Sequence, residues 1–203
     1  MTGYGQAVEV DRFDPGPQPA GRPPAPGRLG YVQAFLNSFW DLEGGGAERW
    51  ATPAAYARWL ADRGFAARGV GEGEVERAIA VREALRALAL ANHDDAPAPP
   101  ALAALDEVAA VLGPAGGLRP RFAAGADRLE PAGDGPDAAL ALALGVVLAA
   151  RADGTWRRMK ACPHAHCGWA FYDRSRNRSS QWCSMRICGN RTKAEAFRNR
   201  RRR

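Results

Sequence analysis

The chain has 203 residues, 46% of them hydrophobic, with 28 Lys or Arg against 22 Asp or Glu and a formal net charge of +6. That length makes one or two domains with a real core. The longest apolar run, residues 138–150, is too short for a membrane span and reads as a buried helix, so no membrane partner is expected.

The opening stretch MTGYGQAVEV has no basic region followed by an apolar run, so a reducing, cytoplasmic setting is expected. Residues 14–28 hold six prolines and no core-forming side chain, and residues 1–28 are expected to be a disordered or extended leader. From residue 29 helical spacing takes over. Leu29, Val32, Phe35, Leu36 and Phe39 mark a helix over 29–42. Thr52 and Pro53 form an N-cap and first helical position for a helix with Tyr56, Trp59 and Leu60 on its apolar face. Residues 74–91 carry a stripe of Ala78, Val81, Leu85 and Leu88, and residues 100–112 repeat the pattern through Leu102, Leu105, Ala109 and Leu112. Between 113 and 136, LRPRF and DRLEP suggest a short hairpin. Residues 137–150 are apolar all round, which places that helix centrally. Residues 29–151 thus read as a mostly helical domain. It offers little for catalysis: one histidine, His93, no cysteine, and carboxylates such as Glu83 and Asp106 on helices. No enzyme is expected. Phe35, Trp40, Trp50 and Trp59 are either core or the lining of a ligand pocket, with core the commoner use of such a set.

Charge divides the chain. Residues 156–203 carry fourteen basic residues against two acids, Asp173 and Glu195, for +12, which leaves −6 on residues 1–155. An acidic body with a basic end implies two parts with different partners. The four cysteines all lie in the basic part, as two matched pairs of Cys, four residues, Cys, Gly: Cys162 and Cys167, then Cys183 and Cys188. A glycine after the second cysteine (Gly168, Gly189) can take the left-handed conformation of a tight loop. Two such loops supply the four thiolates of a tetrahedral zinc site, one ion per chain. Two disulfides are the alternative, disfavoured in a reducing compartment. Redox pairs are usually two residues apart, not four. His164 and His166 read as exposed loop residues beside a shell already complete. WRRMKAC and GWAFYD read as short strands and GNRTKAEAFRNRRRR as a helix. The result is a treble-clef-like module over 156–203 with Trp169, Phe171, Trp182 and Phe197 as its small core. The fold class expected is therefore mainly α with a small α+β zinc module.

FYDRSRNRSSQWCSMRICGNRTKAEAFRNRRR, with its literal Cys188-Gly189-Asn190-Arg191, closely resembles the CGNR zinc finger of bacterial proteins. YVQAFLNSFW, YARWL and VREALRAL resemble the alanine-rich ABATE domain that usually accompanies it. The resemblance implies a stress-related transcription regulator with a zinc-bound, DNA-binding end, and it matches the four cysteines to the metal positions. The chain departs from the pattern at RSSQW, where members often carry a further arginine in place of Ser180 or Gln181.

Charge alone supports the same partner, because the planar arginine fork suits phosphate. Candidate nucleic-acid contacts are Arg174, Arg176 and Arg178 between the cysteine pairs, and Asn190, Arg191, Lys193 and Arg198 after them. Asn190 also reads as a helix cap, and Arg191 as a brace for the thiolates or a reader of guanine. The helical part would be a sensor of a small-molecule effector or a dimerisation unit. The alternative is an RNA- or protein-binding module with purely structural zinc. RNA reading would call for Trp169, Phe171 and Tyr172 displayed as a stacking platform.

Overall fold

The computed structural model describes residues 12–40, 46, 48–112, 116–122 and 127–201. The first eleven residues of the expected leader, residues 41–42 of the first expected helix, and Arg202 and Arg203 lie outside the described residues. Helices α1 (Leu29–Leu36), α2 (Pro53–Ala61), α3 (Glu72–Ala91), α4 (Pro99–Val111) and α5 (Pro136–Ala152) build the body. Strands β1 (Leu118–Arg121) and β2 (Arg128–Pro131) form an antiparallel hairpin between α4 and α5, pairing Leu118 with Pro131. A second hairpin follows, β3 (Met159–Ala161) with β4 (Ala170–Tyr172), pairing Met159 with Tyr172. Helix α6 (Asn190–Arg201) ends the described chain.

The local signals act as their chemistry requires. Thr52 Oγ accepts the amide of Ala55 at 3.2 Å and starts α2. The Glu74 carboxylate takes the amide of Gly71 at 2.8 Å and starts α3. Helix α5 buries almost every face, as an all-apolar helix must. Helix α1 stops short of the periodic pattern because Asn37 and Ser38 turn to tertiary work. Asn37 donates Nδ2 to the Ala170 carbonyl at 3.0 Å and accepts the Ala170 amide at 2.7 Å. It thus completes the free edge of β4 as a neighbouring strand would.

The aromatic set is core. Phe35, Trp50 and Trp59 meet ring to ring, 5.0, 5.1 and 5.8 Å between centroids, mostly edge-on. Trp50 and Phe35 are fully buried, so these rings fill the space between them with their own side chains. Trp40 leaves the set and packs 4.9 Å from Trp169 of the second hairpin. An apolar cavity of about 530 Å³ lies elsewhere, between α3, α4 and α5 beside β1, with Leu88, Leu105, Ala141 and Arg151 in its wall.

The body and the basic end share packing. Trp156, Met159, Ala161, Ala170 and Tyr172 belong to the same apolar core as the helices. Polar side chains of the body capture backbone groups of the second hairpin. Asn92, just past α3, donates to the carbonyls of Trp156 and Met159 at 2.8 and 2.7 Å. His93 meets the Ala161 carbonyl at 2.7 Å. Arg86 donates to the Gly168 carbonyl and also holds those of Leu36 and Phe39, at 2.7 and 2.9 Å. The proline-rich segment is drawn in as well. Ala25 is buried, and Gln33 binds the Ala25 amide, Gln18 and the Ala170 carbonyl. Residues 12–28 are mostly extended, yet they lie on the hairpin rather than away from it.

Replacing Asn92 by Ala takes the side-chain donor from the Met159 carbonyl and leaves the Trp156 carbonyl with only the Met159 amide, at a cost of about 1–3 kcal/mol. Thermal unfolding of the zinc-loaded chain should shift down accordingly, whereas Glu107→Ala on the exposed side of α4 should leave the midpoint unchanged.

Candidate metal centre

The first knuckle is the turn between β3 and β4. Cys162 follows β3 directly, and its amide donates to the Trp169 carbonyl at 2.9 Å, extending the ladder by one bond. Gly168 takes φ +63°, the left-handed value expected there, and turns the Trp169 amide towards the Cys167 sulfur. The amides of His164 and Cys183 point at the Cys162 sulfur. Gly189 differs from expectation. It is helical, and its role is close approach, because a Cβ there would come within 2.4 Å of the Met185 sulfur and 3.1 Å of Trp182. The second knuckle is a single wide turn, Met185–Gly189, opened by Ser184, whose Oγ accepts the amide of Ile187 at 3.3 Å.

These turns bring four buried sulfurs together. All four lie within 4.8 Å of one another, and Cys183 stands 3.6 Å from both Cys167 and Cys188. The cysteines are free, so the disulfide alternative is not realised. Four sulfurs at the usual Zn–S distance sit about 3.8 Å apart in a tetrahedron, which matches this spacing. Electrostatics asks for a cation. Cys162 is held well below the ordinary thiol range by hydrogen bonds from Cys167 and Cys183. Cys167 and Cys183 are pushed up, chiefly because their protons are held on Cys162. Cys188 is pushed up by burial and then by the charge on Cys162. Without a metal the cluster therefore favours one thiolate over four; a divalent ion reverses that balance.

Around the sulfurs pack Trp169 and Phe171, flanked by Trp40, Trp182 and Ile187. Phe197, expected in this core, is 52% exposed on α6 and takes no part; Trp40 of the body stands there instead. His164 is buried, not an exposed loop residue: its Nδ1 accepts the amide of His166, and its Nε2 lies 3.5 Å from Glu195 of α6. A buried pair braces the loop between the knuckles. Lys160 Nζ lies 3.2 Å from Asp173, both essentially inaccessible. Burial pushes the Asp173 carboxyl up, but hydrogen bonds from Ser175 and Ser180 and the Lys160 ammonium outweigh it and hold Asp173 well below the usual carboxylate range.

The candidate nucleic-acid residues fall into two groups. Arg174 donates to the Pro24 carbonyl at 2.9 Å and lies over Tyr172, while Arg178 reaches Asp95 at 3.6 Å. Arg176, Lys193 and Arg198 are exposed. Arg191 is half-buried at the root of α6. Asn190 does not cap α6, because the helix continues directly from the second knuckle. The cap is Ser184, and Asn190 instead donates Nδ2 to the Arg186 carbonyl at 3.3 Å. Trp169, Phe171 and Tyr172 are buried, so no stacking platform is displayed.

Sequence reasoning missed Arg22, Arg82 and Arg86. Arg22 reaches from the proline-rich segment to the carbonyls of Cys183 and Trp182, at 3.0 and 3.1 Å. Arg82 makes a two-pronged pair with Glu48 at 2.7 and 2.6 Å. A signal for the last two was present: arginines four apart in VREALRAL, beside Val81 and Leu85, on the face of α3 that must be buried.

Two sulfur-bearing turns, one closing a hairpin and one opening a helix, define a zinc-finger protein of treble-clef-like build, docked on a helical body. The CGNR zinc finger profile matches residues 158–201. Residues 30–164 match the ABATE profile, described as "Putative stress-induced transcription regulator". That match spans most of the chain, and the chain belongs to the ABATE family. Comparison with curated proteins gives no match. Among the described residues no helix is long and apolar enough to cross a membrane.

Zinc affinity should rise with pH, since binding must strip protons from thiols held above their ordinary range. Competition against a chromophoric chelator at pH 6 and pH 8 reads this directly. Cys188→Ala should lose the ion and loosen the second knuckle and α6, while the β3–β4 hairpin stays on the body. Hydrogen exchange would locate the loss.

Proposed function

We propose that this chain is a transcription regulator that binds duplex DNA through its zinc-stapled basic end, acting as a binder and not as an enzyme. The observation that carries the reading is α6: none of its residues is buried, and it presents Lys193, Arg198, Arg200 and Arg201 to solvent. A helix that buries none of its residues gains little from the fold. Its charge suits a phosphate backbone, and its root is fixed by the metal-bearing turn. Burial of Trp169, Phe171 and Tyr172, in and just ahead of β4, favours duplex DNA over stacked single-stranded RNA. In the same reading the helical body is the sensing or dimerising unit in a cytoplasmic protein, and a small effector would occupy the cavity between α3, α4 and α5.

Binding to a labelled duplex should weaken steeply with salt, and Arg176→Ala or Arg198→Ala should each lower the salt slope by about one unit. Arg191→Lys on a randomised library should alter the preferred sequence if Arg191 reads a guanine edge. A uniform loss would make it a positioning residue. Absence of duplex binding by the zinc-loaded chain at low salt would overturn the reading in favour of a protein partner. For the cavity, an apolar metabolite should raise the melting temperature, and Ala141→Leu, which fills the space, should abolish the rise.

A further inference from the structure

A cleft of about 520 Å³ opens between the proline-rich segment, at Pro19–Pro23, and the second knuckle, at Cys183–Arg186. Residues 19–23 lie outside the residues matched by either family profile. Three arginines, Arg22, Arg174 and Arg186, line this cleft.

We propose that this cleft is a phosphate-binding site, with Arg186 and Arg174 as its ligands and Arg22 as the residue that holds its two walls together. The inference rests on the DNA-binding reading only for the source of the phosphate. Arg22 is half-buried, and its Nε, Nη1 and Nη2 each donate to a backbone carbonyl, those of Cys183, Tyr172 and Trp182, with the guanidinium 4.5 Å over the Phe171 ring. All of these partners are neutral, so the charge stays in place. Among the described residues no carboxylate pairs with Arg22, Arg174 or Arg186. The nearby acid, Asp173, is buried and committed to Lys160 and to the amides of Ser175 and Ser180. It neutralises nothing in the cleft. A zinc ion with four thiolates is doubly negative, and three arginines still leave a positive balance beside it.

The donors are also suited to a tetrahedral oxyanion. Arg186 is exposed on the turn that carries Cys188 and makes no side-chain hydrogen bond or ion pair among the described residues. Arg174 spends one Nη2 on Pro24 and has further N–H groups to give. The Ser184 hydroxyl accepts from Ile187, which leaves its own proton for a ligand. Arginine forks and a hydroxyl around one concavity are the donor set that phosphate oxygens take.

The test uses the full zinc-loaded chain and inorganic phosphate, with zinc content checked before and after. Phosphate should shift the arginine Nε–H resonances of Arg174 and Arg186 saturably. Arg186→Gln or Arg174→Gln should weaken that binding about tenfold, the loss of one charge-assisted hydrogen bond, with zinc content unchanged. Arg68→Gln, in the exposed turn after α2, should leave it intact. A duplex that competes with phosphate for these resonances identifies the nucleic-acid backbone as the source. If phosphate binds and a duplex does not compete, the cleft serves a small phosphate compound, and the DNA reading falls at this face without the cleft. The absence of saturable shifts at Arg174 and Arg186, or equal binding by wild type and both glutamine variants, overturns the proposal whatever the chain does with DNA.

Discussion

The structure depends on side chains that stand in for missing strands. A two-stranded hairpin of three residues per strand is too small to hold itself in water. Here β3 and β4 are held from outside: Asn37 pairs with both backbone groups of Ala170, Asn92 and His93 take the carbonyls along β3, and Arg86 takes that of Gly168. These bonds help to satisfy backbone groups that burial removes from water. The first cysteine pair is therefore positioned by the helical body before any metal is considered. The metal closes a geometry that polar contacts have already half built.

Among the described residues the second cysteine pair takes no such hydrogen bond from α1–α5. It is reached instead by Arg22 from the segment ahead of α1 and by packing on Trp182 and Ile187. One knuckle thus belongs to the body and the other to the N-terminal segment, and the cluster is where the two meet. This explains why a run of prolines lies ordered on the surface. Proline pre-sets an extended backbone and loses less freedom when fixed, so a few contacts suffice to hold it.

Much of this was legible from residue order. Thr52-Pro53, the stripe on α3, the all-apolar α5 and the paired cysteines each impose one local outcome, and each is found. What escaped is tertiary. Phe197 fits an apolar pattern but sits on a helix with nothing opposite it, while Trp40 fits the aromatic set of the body yet packs on the finger. Gly189 follows its cysteine as Gly168 does, but it is chosen for the room it gives Met185 and Trp182, not for a positive φ. The proline-rich stretch has the composition of a free leader; individual residues such as Gln18, Arg22 and Ala25 tie it down, and composition does not register individual residues.

Helix α6 meets the remainder of the protein through its first turn, where Thr192 Oγ1 donates to the Cys188 carbonyl, and through Glu195 beside His164. Twelve residues of helix extend about 18 Å. The arrangement is a lever pivoted on the sulfur cluster. A ten-degree tilt at the pivot would sweep its far end through roughly 3 Å at that length, about the span of one hydrogen bond. Any chemistry that re-sorts the four sulfurs, whether loss of the ion or oxidation of a pair, is thereby magnified at the tip. Where the positive charges of the helix point is therefore set at its root, by the sulfur cluster and the Glu195 contact.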